Sequence, residues 1–244
     1  MLNFLHRNRI TNLCPPLPGR RRLSSGLGAA SLLVLLLGFF TQAQAQTYTM
    51  TCGSNVTVTT CSGTGVDNGG AAGNYANNCN TVLTIQPAVA GQLVRITFTQ
   101  FDTENFWDPM EIFDINTTTG PAFGTVQATN FGAFASFMGT QNPGTITATN
   151  ATGALTIRFR SDASVQRPGW QFTISCVATV PMNCGATVTQ NNCGSIVTDN
   201  GGLAANYANS CTSVLTLTPP AGQFVTITFT QFDIETNWDV LEIF

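Results

Sequence analysis

The chain has 244 residues, a formal net charge of −3, 9% charged and 43% hydrophobic residues. This is too apolar for a disordered chain and too rich in Gly, Thr and Asn for a helical bundle; it suits an all-β protein with many turns. All nine basic residues are Arg, five of them within the first 22 positions, and His6 is the only His. From residue 46 onward four Arg face twelve carboxylates, a formal charge of −8. Nucleic acid and anionic membrane are therefore poor partners. With no imidazole in that stretch, a Ser-His-Asp or Cys-His site and any His-ligated metal are excluded there.

Residues 1–46 have the pattern of a secretory signal. Arg20, Arg21 and Arg22 form a basic region, the apolar run from Leu27 to Phe40 follows, and Ala43-Gln44-Ala45 offers a cleavage site after Ala45. The run is 14 residues, short against the ~20 that span a bilayer, so cleavage is expected rather than anchoring. Cys14 precedes the apolar run and is not a lipidation cysteine.

Seven cysteines follow: Cys52, Cys61, Cys79, Cys176, Cys184, Cys193 and Cys211. In an exported chain they are disulfide partners. The steps 52–61–79 are 9 and 18, and the steps 184–193–211 are the same. Asp67–Gly70 (DNGG) returns at Asp199–Gly202, Asn74–Asn77 at Asn206–Asn209, and ITFTQFD at Ile96–Asp102 and Ile227–Asp233. Trp107-Asp108 returns as Trp238-Asp239 and Glu111–Phe113 as Glu242–Phe244. The offset of 132, then 131, is far longer than a solenoid repeat and marks a duplicated domain. The expected division is a signal over 1–46, a first domain over 47–178, a linker over 179–183, and a second, truncated domain over 184–244. The second copy lacks the counterpart of Asp114–Cys176, so the chain is expected to be a fragment of a longer protein in which Cys184 has lost its partner.

Within the first copy the apolar residues alternate. Val94, Ile96 and Phe98 share one face against Arg95, Thr97 and Thr99; Leu155, Ile157 and Phe159 alternate with Thr156, Arg158 and Arg160; Phe172-Thr173-Ile174 follows suit. Period two predicts half-buried strands, and Gly/Pro/Asn clusters at 67–74, 87–91, 117–121, 139–144 and 150–153 punctuate them. A two-sheet sandwich of short strands is expected.

Phe98–Glu104 (FTQFDTE), Trp107-Asp108 and Glu111–Phe113, then Leu155–Ser164 (LTIRFRSDAS) and Gly169-Trp170, with Asn74-Tyr75 before Cys79, resemble the motifs of CUB domains. The flavour is similar to the CUB-like repeats of secreted bacterial proteins, one copy complete and one truncated. The resemblance implies a jelly-roll β-sandwich without catalytic activity. It also implies a calcium site at Glu104, Asp108, Asp162 and Ser164, supported by Tyr75, with Glu235 and Asp239 as the equivalents in the truncated copy. Calcium takes six to eight hard oxygens, which carboxylates and carbonyls supply. From the resemblance, Cys61 is expected to pair with Cys79 and Cys52 with Cys176, with Cys193–Cys211 as the second-copy counterpart, although four cysteines permit three connectivities.

A carboxylate pair of the glycosidase kind within Asp102, Glu104 and Asp108 lacks any accompanying cleft insertion, and no nucleophile with a base is evident, so no enzyme is expected. Asp67–Gly70 is foremost a turn. Trp170 is expected in the core and Trp107 at the surface, while Phe131, Phe134 and Phe137 are expected to pack on the sandwich. The functional reading is a secreted, extracellular or cell-surface binding module, calcium-dependent, for protein or glycan through a basic residue. The alternative is a spacer or accessory domain of a larger secreted protease or adhesin.

Overall fold

The computed structural model describes residues 9–13, by their backbone, and 46–244 apart from Asn192. The basic triplet, apolar run and cleavage site of the expected signal lie outside the described residues. Every regular element among the described residues is a strand, and no helix among them is long and apolar enough to cross a membrane. In chain order the strands begin with β1 (Arg9–Leu13), β2 (Thr47–Thr49), β3 (Asn55–Thr59), β4 (Ser62–Val66), β5 (Asn80–Gln86) and β6 (Gln92–Asp102). Next come β7 (Met110–Phe113), β8 (Ala122–Phe123), β9 (Thr125–Thr129), β10 (Gly132–Ser136), β11 (Thr145–Thr147) and β12 (Leu155–Arg160). The last are β13 (Gly169–Met182), β14 (Thr187–Gln190), β15 (Ile196–Asp199), β16 (Val214–Leu217) and β17 (Thr226–Gln231).

Two sheets form the first sandwich. One runs β11-β6-β13-β4 with β2 beside β4; the other runs β3-β5-β12-β7-β8. The period-two pattern sets which side chains meet between them. Ile96, Phe98, Phe172 and Ile174 face Leu83, Ile85, Ile157 and Phe159, and all are buried in one cluster. An aromatic row runs through it: Tyr75 meets Phe159 at 5.0 Å between centroids, Phe159 meets Trp170 at 6.0 Å, and Trp170 stacks on Phe172 at 5.6 Å. Burying one such ring stabilises by roughly 2–3 kcal/mol. Gly65 makes room for the row, because a Cβ there would lie 2.2 Å from the Phe172 ring. Trp170 is in the core as expected, and Trp107 is exposed.

The cysteines pair differently from the expectation. Cys52 is bonded to Cys79 and Cys61 to Cys176, with Cα separations of 4.8 and 4.9 Å. Strand register decides this. β3 lies parallel to β5 with Asn55 opposite Val82, so Cys52 and Cys79, each three residues upstream, arrive side by side. Cys61 precedes β4, whose Ser62 faces Ser175 on β13, and that brings it to Cys176. Cys184 likewise has a partner, Cys211, at the same sequence separation of 27; the expected Cys193–Cys211 bond is not formed.

Pairings recur in the second segment at the 132-residue offset. Asn55↔Val82 returns as Thr187↔Val214, between β14 and β16, and Thr47↔Thr64 as Thr179↔Ile196. Residues 179–182, expected in a linker, instead continue β13 and lie parallel to β15. Around Val197, Tyr207, Phe229 and Phe232 there is a cavity of about 380 Å³. The first-copy counterparts of two of these, Tyr75 and Phe98, pack on Phe159 and Phe172 instead.

Candidate metal centre

The site forms where β6 ends. Between Asp102 and β7 the chain makes one tight turn, in which the Asp108 N–H donates to the Glu104 carbonyl at 3.1 Å. Phe106 sits in that turn at φ 68°. Across from it, the loop leaving β12 carries Asp162 and contains Val165 at φ 57°. A bulky and a β-branched residue in the left-handed region are strained, and such strain persists only where the surroundings enforce it. The second loop is held by the Asn77 side chain donating to the Ala163 carbonyl (2.9 Å) and the Asn78 N–H donating to the Asp162 carbonyl (2.6 Å).

Glu104, Asp108 and Asp162 each bring a carboxylate oxygen within 4.8 Å of the others. Asp108 is wholly buried; its Oδ1 accepts the Asp162 N–H at 2.8 Å and its Oδ2 the Tyr75 hydroxyl at 2.6 Å. The same hydroxyl accepts the Glu104 N–H at 2.9 Å, so the buried Tyr75 ties both carboxylate residues to the core. Ser164 stands in the turn after Asp162, and its N–H donates to Asp162 Oδ1 at 2.9 Å. All five residues singled out in the sequence thus belong to one neighbourhood. In the second segment Tyr207 donates to Asp239 and accepts the Glu235 N–H (2.9 Å), but these residues are exposed or half-exposed.

The electrostatics are those of a site wanting a cation. Burial raises the Asp108 carboxyl above its usual range, and nearby Asp162 adds to this, against hydrogen bonds from Tyr75 and Asp162. Glu104 is raised by desolvation and then by Asp108 and Asp162, with Arg167 pulling the other way. Burial, then the bond to Asp108, raises Tyr75, which stays a proton donor. Glu104 Oε2 is buried with no hydrogen-bond partner. An unpartnered carboxylate oxygen beside two more carboxylates is costly unless a cation completes it. The donor set is hard oxygen, which fits calcium.

Sequence reasoning missed Asp67. It is not only part of a turn: its buried carboxylate accepts the Gly69 N–H and the Trp170 N–H, both at 2.8 Å, and so pins the start of β13 beside Tyr75. The recurrence of DNGG was the signal, but a turn explains that recurrence equally well.

Against curated proteins, the chain is 25% identical to rat cubilin over 166 residues, 66% of this chain. It is 34% identical to mouse Tolloid-like protein 2 over 88 residues, 34% of this chain. Both relatives are CUB-containing proteins, and the likeness supports a CUB domain in this chain. It spans 4% of the length of cubilin and 7% of that of Tolloid-like protein 2. No protein-family model matches. Among solved structures it is similar to the MASP-1 CUB2 domain bound to Ca2+, with 21% identity and a TM-score of 0.38, covering 50% of this chain and 98% of that one. CUB domains are generally non-catalytic modules.

The raised carboxyls predict a pH dependence in the metal-free CUB domain. Asp108 and Glu104 hold protons more tightly folded than unfolded, so the folded state binds more protons just above the ordinary carboxylate range. Stability then falls as pH rises through that window. In EDTA, urea unfolding of the wild type should lose ground to Asp108→Asn between about pH 4 and neutrality. A difference that is flat or grows in favour of the wild type contradicts the assignment.

Proposed function

We propose that the CUB domain over residues 47–178 is a non-catalytic, calcium-organised recognition module working outside the cell. The observation that carries this reading is the unpartnered, buried Glu104 Oε2 beside the Asp108 and Asp162 carboxylates. Calcium supplies a charge that three converging carboxylates lack, and it takes Glu104, Asp108 and Asp162 as ligands, with Ser164 contributing from the adjoining turn. The residues themselves do the positioning: Tyr75 holds Asp108 and the Glu104 backbone, and the Asp162 N–H holds Asp108 from the opposite loop. The partner is an extracellular protein or glycan offering a basic group. Exposed Phe106 and Trp107 beside the acidic centre supply apolar contact area. The disulfides support an oxidising, extracellular setting.

A calcium titration of the whole chain against EDTA, followed by melting temperature, tests this. Roughly 100-fold saturation adds about 2.7 kcal/mol, and the gain should vanish in Asp108→Asn and Asp162→Asn. Calcium favours the charged carboxylates, so it should also abolish the decline of stability with rising pH expected in EDTA. No thermal shift up to millimolar calcium retires the ion site and leaves the spacer or accessory-domain reading in its place.

A further inference from the structure

A cavity of about 420 Å³ lies at the end of β6, next to the acidic centre but separate from it. Asp102, Thr103 and Asn105 line it from β6 and the turn that follows. Met138 and Gln141 line it from the loop after β10, and Arg167 from the loop before β13. None of Glu104, Asp108, Asp162 and Ser164 is among its lining residues. Thr103 and Met138 are buried, whereas Asn105, Gln141 and Arg167 are exposed, so the cavity reaches from solvent down to the edge of the core.

The frame is held by hydrogen bonds that do not involve the three carboxylates of the acidic centre. The Thr103 N–H donates to the Gly139 carbonyl at 2.9 Å, and the Gln141 N–H to the Met138 carbonyl at 3.1 Å. Gln127 donates to Gln141 Oε1 at 3.0 Å, which leaves the Gln141 amide nitrogen as a donor. Gln100 donates to the Pro168 carbonyl at 2.8 Å and so fixes the chain beside Arg167. One lining group has no such explanation. Thr103 is 2% exposed, and its Oγ1 is buried without a hydrogen-bond partner. A buried hydroxyl in that state destabilises the fold unless something from outside satisfies it.

Charge and polarity select what that is. Asp102 repels an anion, as does the formal charge of −8 carried from residue 46 onward. Arg167 repels a cation, so the two charges in the lining cancel. Met138 is the one apolar side chain in the lining, which leaves an apolar side chain of a peptide little to bury against. A neutral molecule with several hydroxyls fits, because each hydroxyl both donates and accepts. Asp102 accepts, Arg167 and Gln141 donate, and Asn105 and Thr103 do either. The volume lies in the range of small-ligand sites.

We propose that this cavity binds a neutral sugar unit of a glycan and does so without calcium. The inference rests on the recognition reading above and deepens it, choosing glycan over protein at a site that the cation does not occupy.

Saturation-transfer NMR on the full chain with millimolar free hexoses and N-acetylhexosamines tests this, beside an array that adds sulfated, uronate and free-amine glycans. Neutral sugars should bind, equally in calcium and in EDTA. Asp102→Ala and Arg167→Ala should each weaken binding about ten-fold or more. Thr103→Val keeps the shape and removes only the orphan hydroxyl. It should weaken binding about three-fold while the melting temperature of the sugar-free protein rises or holds. A lower melting temperature in Thr103→Val, or unchanged binding in these variants, overturns the proposal. So does the absence of any neutral-sugar signal, or binding confined to charged glycans. Sugar binding that requires calcium and is lost in Asp108→Asn puts the ligand on the acidic centre, which overturns this cavity and spares the calcium reading. Sugar binding retained in a protein with no calcium response does the reverse.

Discussion

Gly169→Ala is expected to cost the CUB domain roughly 3–5 kcal/mol. Gly169 opens β13 at φ +77°, and a Cβ there would lie 1.9 Å from Asp67 Oδ2 and 3.3 Å from the Tyr75 ring. The left-handed conformation alone costs an L-residue about 1–2 kcal/mol. The larger part comes from Asp67, which cannot step aside without releasing the Gly69 and Trp170 N–H groups it accepts at 2.8 Å. Each buried group left unmatched costs about 1–3 kcal/mol. Urea unfolding should show a lower midpoint with an unchanged slope. Because Trp170 and Tyr75 both pack on Phe159, the same variant should weaken any calcium response. A loss below about 1 kcal/mol would mean that Asp67 relaxes freely and does not clamp the strand.

The second large effect is expected at Glu111, where Glu111→Gln should cost roughly 3 kcal/mol. Its carboxylate is buried between two guanidinium groups: Arg158 donates from Nε and Nη2, both at 2.6 Å, and Arg160 from Nη2 at 2.9 Å. Arg160 also lies over the Phe131 and Phe134 rings, at 4.5 and 4.6 Å. Its Nε is buried without a partner, so it depends on Glu111 for compensation. The amide keeps the shape but removes the charge, leaving two cations facing each other. The Arg side chains retain some solvent contact, which holds the cost near the lower end for breaking a buried pair. Replacing Glu111, Arg158 and Arg160 together by apolar residues should recover much of the loss, because desolvation of the ions is then avoided. Thermal or urea unfolding of both variants checks this; a single variant as stable as wild type, or a triple variant worse than the single, contradicts it.

Period two in Val94–Phe98 and Leu155–Phe159 made the core faces legible, because strand side chains alternate whatever the topology. The acidic residues Glu104, Asp108 and Asp162 were legible as a motif, and Tyr75 as their support. Arg158 and Arg160 were not. Alternation assigns them to the face away from the core, and it took the folded chain to show Arg160 lying over Phe131 and Phe134 of the β9–β10 hairpin, Arg158 over Phe113, and Glu111 buried between the two guanidinium groups.

The sequence by itself determined the strands and the duplicated order of motifs, which rest on local periodicity and spacing, while the residues that gather at the acidic centre were read from the resemblance of their motifs to those of CUB domains. Tertiary structure alone decided which cysteines meet and that Asp67 clamps β13. Those depend on register between strands far apart in the chain, and composition and spacing along one strand carry no information about what lies opposite it.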